Sequence, residues 1–296
     1  MQCSSFVAIF FILSGCLAAQ PEHDRAFWKA ITNNKYAVPE HESADALSQE
    51  LSVLLASPDP ELRDDLAYSI LARWIHSSTI SNPQLIVLTD QWRANLKSGL
   101  GETKTNSVLK RSFSALCLSS MAARETKTPF MGAERYHQLV AEAVAYLQAE
   151  RDLRGYDATL HWIHSTAHTA DLLAALADDT RLTKDEEMAI LSAIAARLST
   201  AIEVYTQGEQ DRLAAAVVTV IRRSDFQTAA LESWLNGIQN EDREVWTATT
   251  PESLERFQNH NYLLQALMVR LSLQPDSAAI SDYKQKVLTV LKTRLD

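Results

Sequence analysis

The feature that most constrains this chain is a shortage of turn residues. Glycine and proline number seven and eight in 296 residues, about 5% against the ~12% of ordinary chains. Folds built of short strands need frequent turns, and turns draw on glycine and proline for backbone conformations that other residues adopt at a cost. A chain so poor in both is confined to long elements, and its Ala- and Leu-rich segments favour helix. No segment sustains a period-two alternation of apolar and polar residues. The expected fold is all-α.

The few punctuating residues place the helices. Pro58, Pro60, Pro83, Pro129, Pro251 and Pro275 stand at or just before expected helix starts, where a missing N–H costs least. The expected spans are 24–33, 41–56, 59–76, 83–98, 105–124, 133–151, 157–178, 183–205, 209–223, 225–240, 251–273 and 276–295. Gly101, Gly132, Gly155 and Gly208 fall between them, while Gly237, inside WLNGIQ, predicts a bend or an early stop. Helix pairs recur every ~42–51 residues, the range of HEAT and armadillo repeats. Short connections make neighbours antiparallel, so a HEAT/armadillo-like α-solenoid is expected, with a compact multi-helix bundle as the alternative. With no linker or low-complexity tract, residues 20–296 read as a single helical repeat domain.

Residues 1–19 read as an export signal. Phe6 to Leu13 is apolar and far too short to span a membrane. The tetrapeptide Leu13-Ser14-Gly15-Cys16 resembles a bacterial lipobox, which implies a lipid on Cys16 and membrane contact through that anchor alone. Leu17 after the cysteine then implies the outer membrane. No Lys or Arg lies near the start, and cleavage near Ala18 or Ala19 is the alternative, giving a periplasmic or secreted protein. Cys3 and Cys16 belong to this leader, so Cys117 is the one cysteine of the body. Neither an internal disulfide nor a cysteine zinc site can form. Cys117, in SFSALCLSSM, reads as inert core.

The net charge of −9 and pI near 5.4 disfavour a nucleic-acid partner, which would need clustered cations. Lys284, Lys286, Lys292 and Arg294 in the last helix read as a solvated face. The chain has no GxSxG, no Walker loop and no HExxH. GLGETK, from Gly99, lacks the third glycine and the preceding strand of a dinucleotide loop, and the one His-Asp doublet, His23-Asp24, stands at the edge of the mature chain.

Chemistry gathers in RGYDATLHWIHSTAHTADLL, residues 154–173. Placed on one helix at ~100° per residue, His161, His164, His168 and Asp171 share an arc of about 80°. His164 and His168, four apart, could reach one divalent metal ion. His161 and His168 are ~10.5 Å apart in rise, so a single ion would need ligands from other helices. Asp64, Asp157, Glu209 and Asp211 are candidates, with Asp171 orienting His168. Two other readings stay open: a buried polar ladder in which Asp171 accepts from His168, and a ligand or catalytic pocket without metal.

Over most of its length the chain resembles a bacterial family catalogued as domain of unknown function 2785. The stretches that carry the resemblance are DPELRDDLAYSILARWI, RSFSALCL, DLRGY, WIHSTAHTADLL, GEQDRLAAAV and NYLLQALMVRL, in that order. The family pattern Trp-x-His-x-x-Ala-His-x-x-Asp maps onto Trp162, His164, Ala167, His168 and Asp171. The family usually has glycine where this chain has His161, which removes His161 from the shared site. The resemblance implies an all-helical repeat fold and brings no activity. It also gathers Arg63, Asp64, Arg111, Arg154, Tyr156, Asp157, Glu209, Asp211, Arg212 and Asn261 into matching stretches, largely on alternate helices. Their polar groups are expected to converge on a concave face, against the plainer expectation of ion pairs and caps, with Arg63 pairing Asp64 or Asp65 and Asp157 capping the His helix. The expected function is binding of a ligand, peptide or envelope partner. The alternatives are a metal-dependent hydrolase using His164 and His168, and a purely structural scaffold.

Overall fold

A computed structural model describes residues 22–294. The expected export signal, with Cys3 and Cys16, lies outside the described residues. The fold is all-α. Its α-helices run α1 Arg25–Asn33, α2 Ala44–Leu54, α3 Ser69–His76, α4 Asn82–Asn95, α5 Ser107–Lys127, α6 Gly132–Ala149, α7 Ser165–Ala177, α8 Lys184–Ser199, α9 Glu209–Ile221, α10 Thr228–Asp242, α11 Pro251–Ser272 and α12 Ala278–Lys292. A π-helix, Glu61–Tyr68, leads into α3, and two two-residue strands precede α7.

Local chemistry sets the starts. Asp24 accepts from the Phe27 N–H at 2.9 Å, and Ser81 caps α4 with Pro83 in its first turn. Thr183 and Glu186 form a reciprocal capping box on α8, as Thr250 and Ser253 do on α11. Gly132 and Gly208, at φ +75° and +91°, occupy the left-handed region at helix entries. Gly237 neither bends nor stops α10, which runs through it to Asp242. No atom crowds that position, so a glycine there costs only helix propensity.

The helices pack in two rows. α3, α5, α7, α9 and α11 lie side by side in that order. α4, α6, α8, α10 and α12 back them, each in contact with a row-mate or a first-row helix. α7 sits mid-row between α5 and α9, and its Leu172, Leu173 and Leu176 are fully buried. Each contributes ~1.5–3 kcal/mol of transfer free energy. Cys117 is buried in the same core, and burial pushes its thiol pKa well up, as an inert core cysteine requires.

Two expected spans are corrected. The segment 183–205 leaves the helix at Ser199, where the α8 ladder ends on Thr200, and Ala201 to Gly208 cross to α9 as a loop. Asn259 holds that loop, accepting from the Tyr205 N–H at 2.9 Å and donating to the Glu203 carbonyl at 3.0 Å. The segment 157–178 is a helix only from Ser165, with consequences for the site.

Candidate functional site: an aromatic hairpin before α7

Residues 156–162 form a hairpin rather than a helical turn. The Asp157 carboxylate does not cap a helix; it accepts from the Thr159 and Leu160 N–H groups at 2.8 Å each and closes a tight turn. Strand β1 (Tyr156–Asp157) then pairs antiparallel with β2 (His161–Trp162), placing Tyr156 opposite Trp162. Their rings meet edge to face at 5.0 Å, and Tyr156 stacks on His161 at 5.6 Å. His161 sits at φ +57° and His164 at +51°, a region that costs a non-glycine residue ~1–2 kcal/mol. The glycine that the family resemblance puts at position 161 has its physical reason in that angle. Of the four residues expected on one helix face, only His168 and Asp171 are helical.

The hairpin is fastened from below by buried groups. Arg63 is 0% exposed, and it does not pair with Asp64 or Asp65. Its Nη2 donates to the Leu160 carbonyl and, at 3.1 Å, to that of Trp162; Nη1 donates to the Ser57 carbonyl at 2.8 Å. The guanidinium lies 4.8 Å over the Phe113 ring. Ile163, fully buried with Val108 and Leu109, donates to the Gly155 carbonyl at 2.8 Å, and its own carbonyl accepts from Ser112. Gly155 is closely approached: a Cβ there would lie 2.4 Å from Gln207 Oε1 and 2.5 Å from Glu209 Oε1, so both side chains would have to move.

His164 faces the hairpin. Its ring stacks on Trp162 at 4.6 Å, and Nε2 donates to the Gln207 carbonyl at 3.0 Å while lying 3.4 Å from Glu209 Oε1. Glu209 is buried; its Oε2 accepts from the Gln207 N–H at 2.9 Å, and Oε1 has no hydrogen-bond donor. His168 lies beneath, edge-on to Phe113 and His164. The Ser112 hydroxyl spends its proton on the Ile163 carbonyl, so it accepts from His168 Nδ1 at 2.8 Å. Burial, reinforced by His164 and Arg212, lowers the His168 pKa to about 3, so its ring is neutral at physiological pH.

Asp171 does not orient His168. It pairs with Arg212 Nη1 at 2.5 Å, on the neighbouring α9. Burial raises its pKa more than Arg212 lowers it. Asp211 and Arg270 form the next rung, a bidentate pair at 2.8 and 2.5 Å. Burial also raises the pKa of Asp64, against the pull of Arg63, and lifts Tyr68 to about 12. Tyr156, Trp162 and His164 are thus joined by ring contacts, and Asp171 and Arg212 by the α7–α9 ion pair, with His164 acting on Asp171 through its charge.

Other expected members are occupied elsewhere. Arg111 is 0% exposed and grips Glu150 through Nε and Nη2 at 2.6 and 3.0 Å, with Nη1 on the Ser98 and Gly99 carbonyls. Arg154 pairs with Asp152 at 2.8 and 2.6 Å and ties the hairpin's entry to the Thr105 carbonyl. Asn261 is half-buried, and the bonding falls to its neighbour Asn259. For the metal reading, the His164 and His168 ring centroids are 5.8 Å apart, and no group of three or more His, Cys, Asp or Glu among the described residues could hold an ion. Ser112 and Gln207 were invisible in the sequence, since neither carries a spacing signal. So was the buried Asp242, which joins His260 and Arg294 from three distant segments.

No curated protein and no solved structure matches this chain. A family model described as protein of unknown function (DUF2785) matches residues 96–269, which contain the hairpin, both site histidines, Asp171 and Arg212. The chain belongs to that family of proteins of unknown function.

Proposed function

We propose that this chain is an exported α-solenoid binding protein whose inner row holds a ligand or peptide on the 156–162 hairpin. Ring faces of the ligand stack on Trp162 and Tyr156, while Arg212 and Asp171 supply directional hydrogen bonds. The observation that carries the reading is the display of these aromatics. Trp162 is 39% and Tyr156 47% exposed, on a hairpin fastened by a fully buried arginine. Core packing alone gains nothing from holding two large rings in solvent above a desolvated charge. His161 and His164, two of the seven non-glycine residues at positive φ among the described residues, stand in and beside this hairpin, and such strain persists only where the surroundings impose it. The binder is favoured over the hydrolase because one nitrogen of each site histidine is spent on the fold, His164 Nε2 on Gln207 and His168 Nδ1 on Ser112, and no group of three or more His, Cys, Asp or Glu among the described residues could hold an ion with the other. In the same proposal, Cys16 carries the lipid that holds the domain at the envelope, probed by lipid labelling of wild type and Cys16→Ala.

Ligand-observed NMR with soluble peptidoglycan fragments and with di- to pentapeptides tests the site. A binding fragment should lose its signal with Arg212→Ala. Fragments that bind wild type and Arg212→Ala equally, or a complete absence of binding in both sets, would overturn the proposal.

A further inference from the structure

The C-terminal end of the chain carries a second constellation, built on one carboxylate. Asp242, buried at the end of α10, accepts from His260 Nδ1 at 2.9 Å and from Arg294 Nη2 at 2.6 Å, with Arg256 Nε 3.5 Å away. Two guanidiniums thus share one carboxylate. Arg294 has its side chain 5% exposed and its guanidinium 4.8 Å over the Phe257 ring. Its Nε and Nη1 have no hydrogen-bond partner.

That pattern is unusual within this molecule. Buried Arg111 bonds through all three of its nitrogens. Arg63, Arg124 and Arg197 each have Nε as their one buried nitrogen without a partner; among the described residues, Arg294 is the arginine whose buried unpaired atoms include a terminal NH2 as well. Anchoring Asp242 needs only Nη2. A buried, permanently charged donor group is costly to leave unsatisfied, so its retention calls for an acceptor.

A cavity of about 520 Å³ lies at this point, lined by Arg294 and Asp242 together with Asn240, Arg243, Trp246 and Phe257. Its charged lining is two arginines against one aspartate. Trp246, 68% exposed, meets Phe257 edge to face at 5.3 Å and offers a large apolar ring at the mouth. Trp246 and Asn240 are both exposed, so their side chains can move aside to admit a ligand to Nη1.

We propose that this cavity binds a small organic anion, a carboxylate on a flat apolar body. The carboxylate takes the unpaired donors of Arg294, with Arg243 on the rim, and the body lies against Trp246. The site is independent of the hairpin, and Thr293 and Arg294 on its wall lie beyond the segment that the family model matches.

Isothermal titration of the full chain with phenylacetate, and with neutral phenylacetamide as its near-isostere, tests this. Phenylacetate should bind wild type at least ~10-fold more tightly than the amide, because the charge-assisted bond is the stronger one. Binding should be lost in Arg294→Gln and weakened in Trp246→Ala, with Trp162→Ala unaffected. Should Arg294→Gln fail to fold, Trp246→Ala and the acid-to-amide ratio decide the matter. Absence of phenylacetate binding to wild type, equal binding of acid and amide, or binding unchanged by Trp246→Ala would each overturn the proposal.

Discussion

Replacing Arg63 by methionine should loosen the hairpin before it unfolds the protein. The substitution removes three backbone hydrogen bonds made by a cation, to Ser57, Leu160 and Trp162. Each is worth ~1.5–3 kcal/mol when the carbonyl it leaves stays buried. Leu160 is half-buried and Trp162 exposed, so their carbonyls regain water and most of that loss is recovered. Removing the guanidinium also relieves its desolvation, which lowers the pKa of Arg63 itself. Methionine keeps much of the apolar stem over Phe113. The remainder is ~2–4 kcal/mol, a fall in melting midpoint of ~4–16 °C for a domain of this size. The sharper readout is local. Backbone amides of residues 156–164 should exchange with deuterium at least ~10-fold faster through local opening, a change of ~1.4 kcal/mol, while α9 and α11 amides speed up only as far as the global loss requires. A loss of global stability with hairpin protection intact would refute the reasoning, and so would a variant as stable and as protected as wild type.

The remaining predictions concern two histidines. His168 has a pKa of about 3 when folded against an ordinary 6.5, so the unfolded chain binds the extra proton between those values. Its contribution is fully present above pH 6.5 and is lost as pH falls toward 3, on the order of 4 kcal/mol in all. Melting midpoints of His168→Gln should therefore fall less steeply than those of wild type between pH 6.5 and 4, and parallel slopes would show that the ring is not buried neutral. His161→Gly should raise the midpoint by up to ~2 °C, because the left-handed backbone at φ +57° no longer carries a Cβ. A fall of several degrees by calorimetry would mean that stacking on Tyr156 outweighs the relief of strain.

The sequence made the helices legible where single residues terminate them. Pro83 after Ser81, Thr183 with Glu186, and Thr250 before Pro251 each act within one turn, and each stands where the chain enters a helix. The alternation that sets α3, α5, α7, α9 and α11 side by side was also readable, since it follows from short connections. The hairpin was not. His161, His164, His168 and Asp171 fall on one face of an imagined helix by coincidence of spacing, and the residues that break it use left-handed angles without being glycine. The bonds that stabilise the alternative are distant: Arg63 reaches 97 and 99 residues along the chain, and Ser112 reaches 51 and 56. Asp171 pairs with Arg212 and not with His168, a partner 41 residues away on the adjacent helix that local spacing cannot reveal. Residue type and local spacing drew attention to these polar and aromatic groups, and long-range geometry decided what each one touches.

The central claim is that Trp162 and Tyr156 are displayed for binding and are not part of what holds the fold together. The most direct test is a pair of measurements on Trp162→Ala/Tyr156→Ala: its calorimetric melting midpoint, and its affinity for whichever peptidoglycan fragment or peptide binds wild type. Exposed rings contribute little burial, so the midpoint should stay within ~2–3 °C of wild type while affinity falls at least ~100-fold, since stacked aromatic anchors dominate such contacts. A midpoint lowered by ~8 °C or more, well beyond what exposed rings contribute, would contradict the claim, and so would binding that survives the loss of both rings.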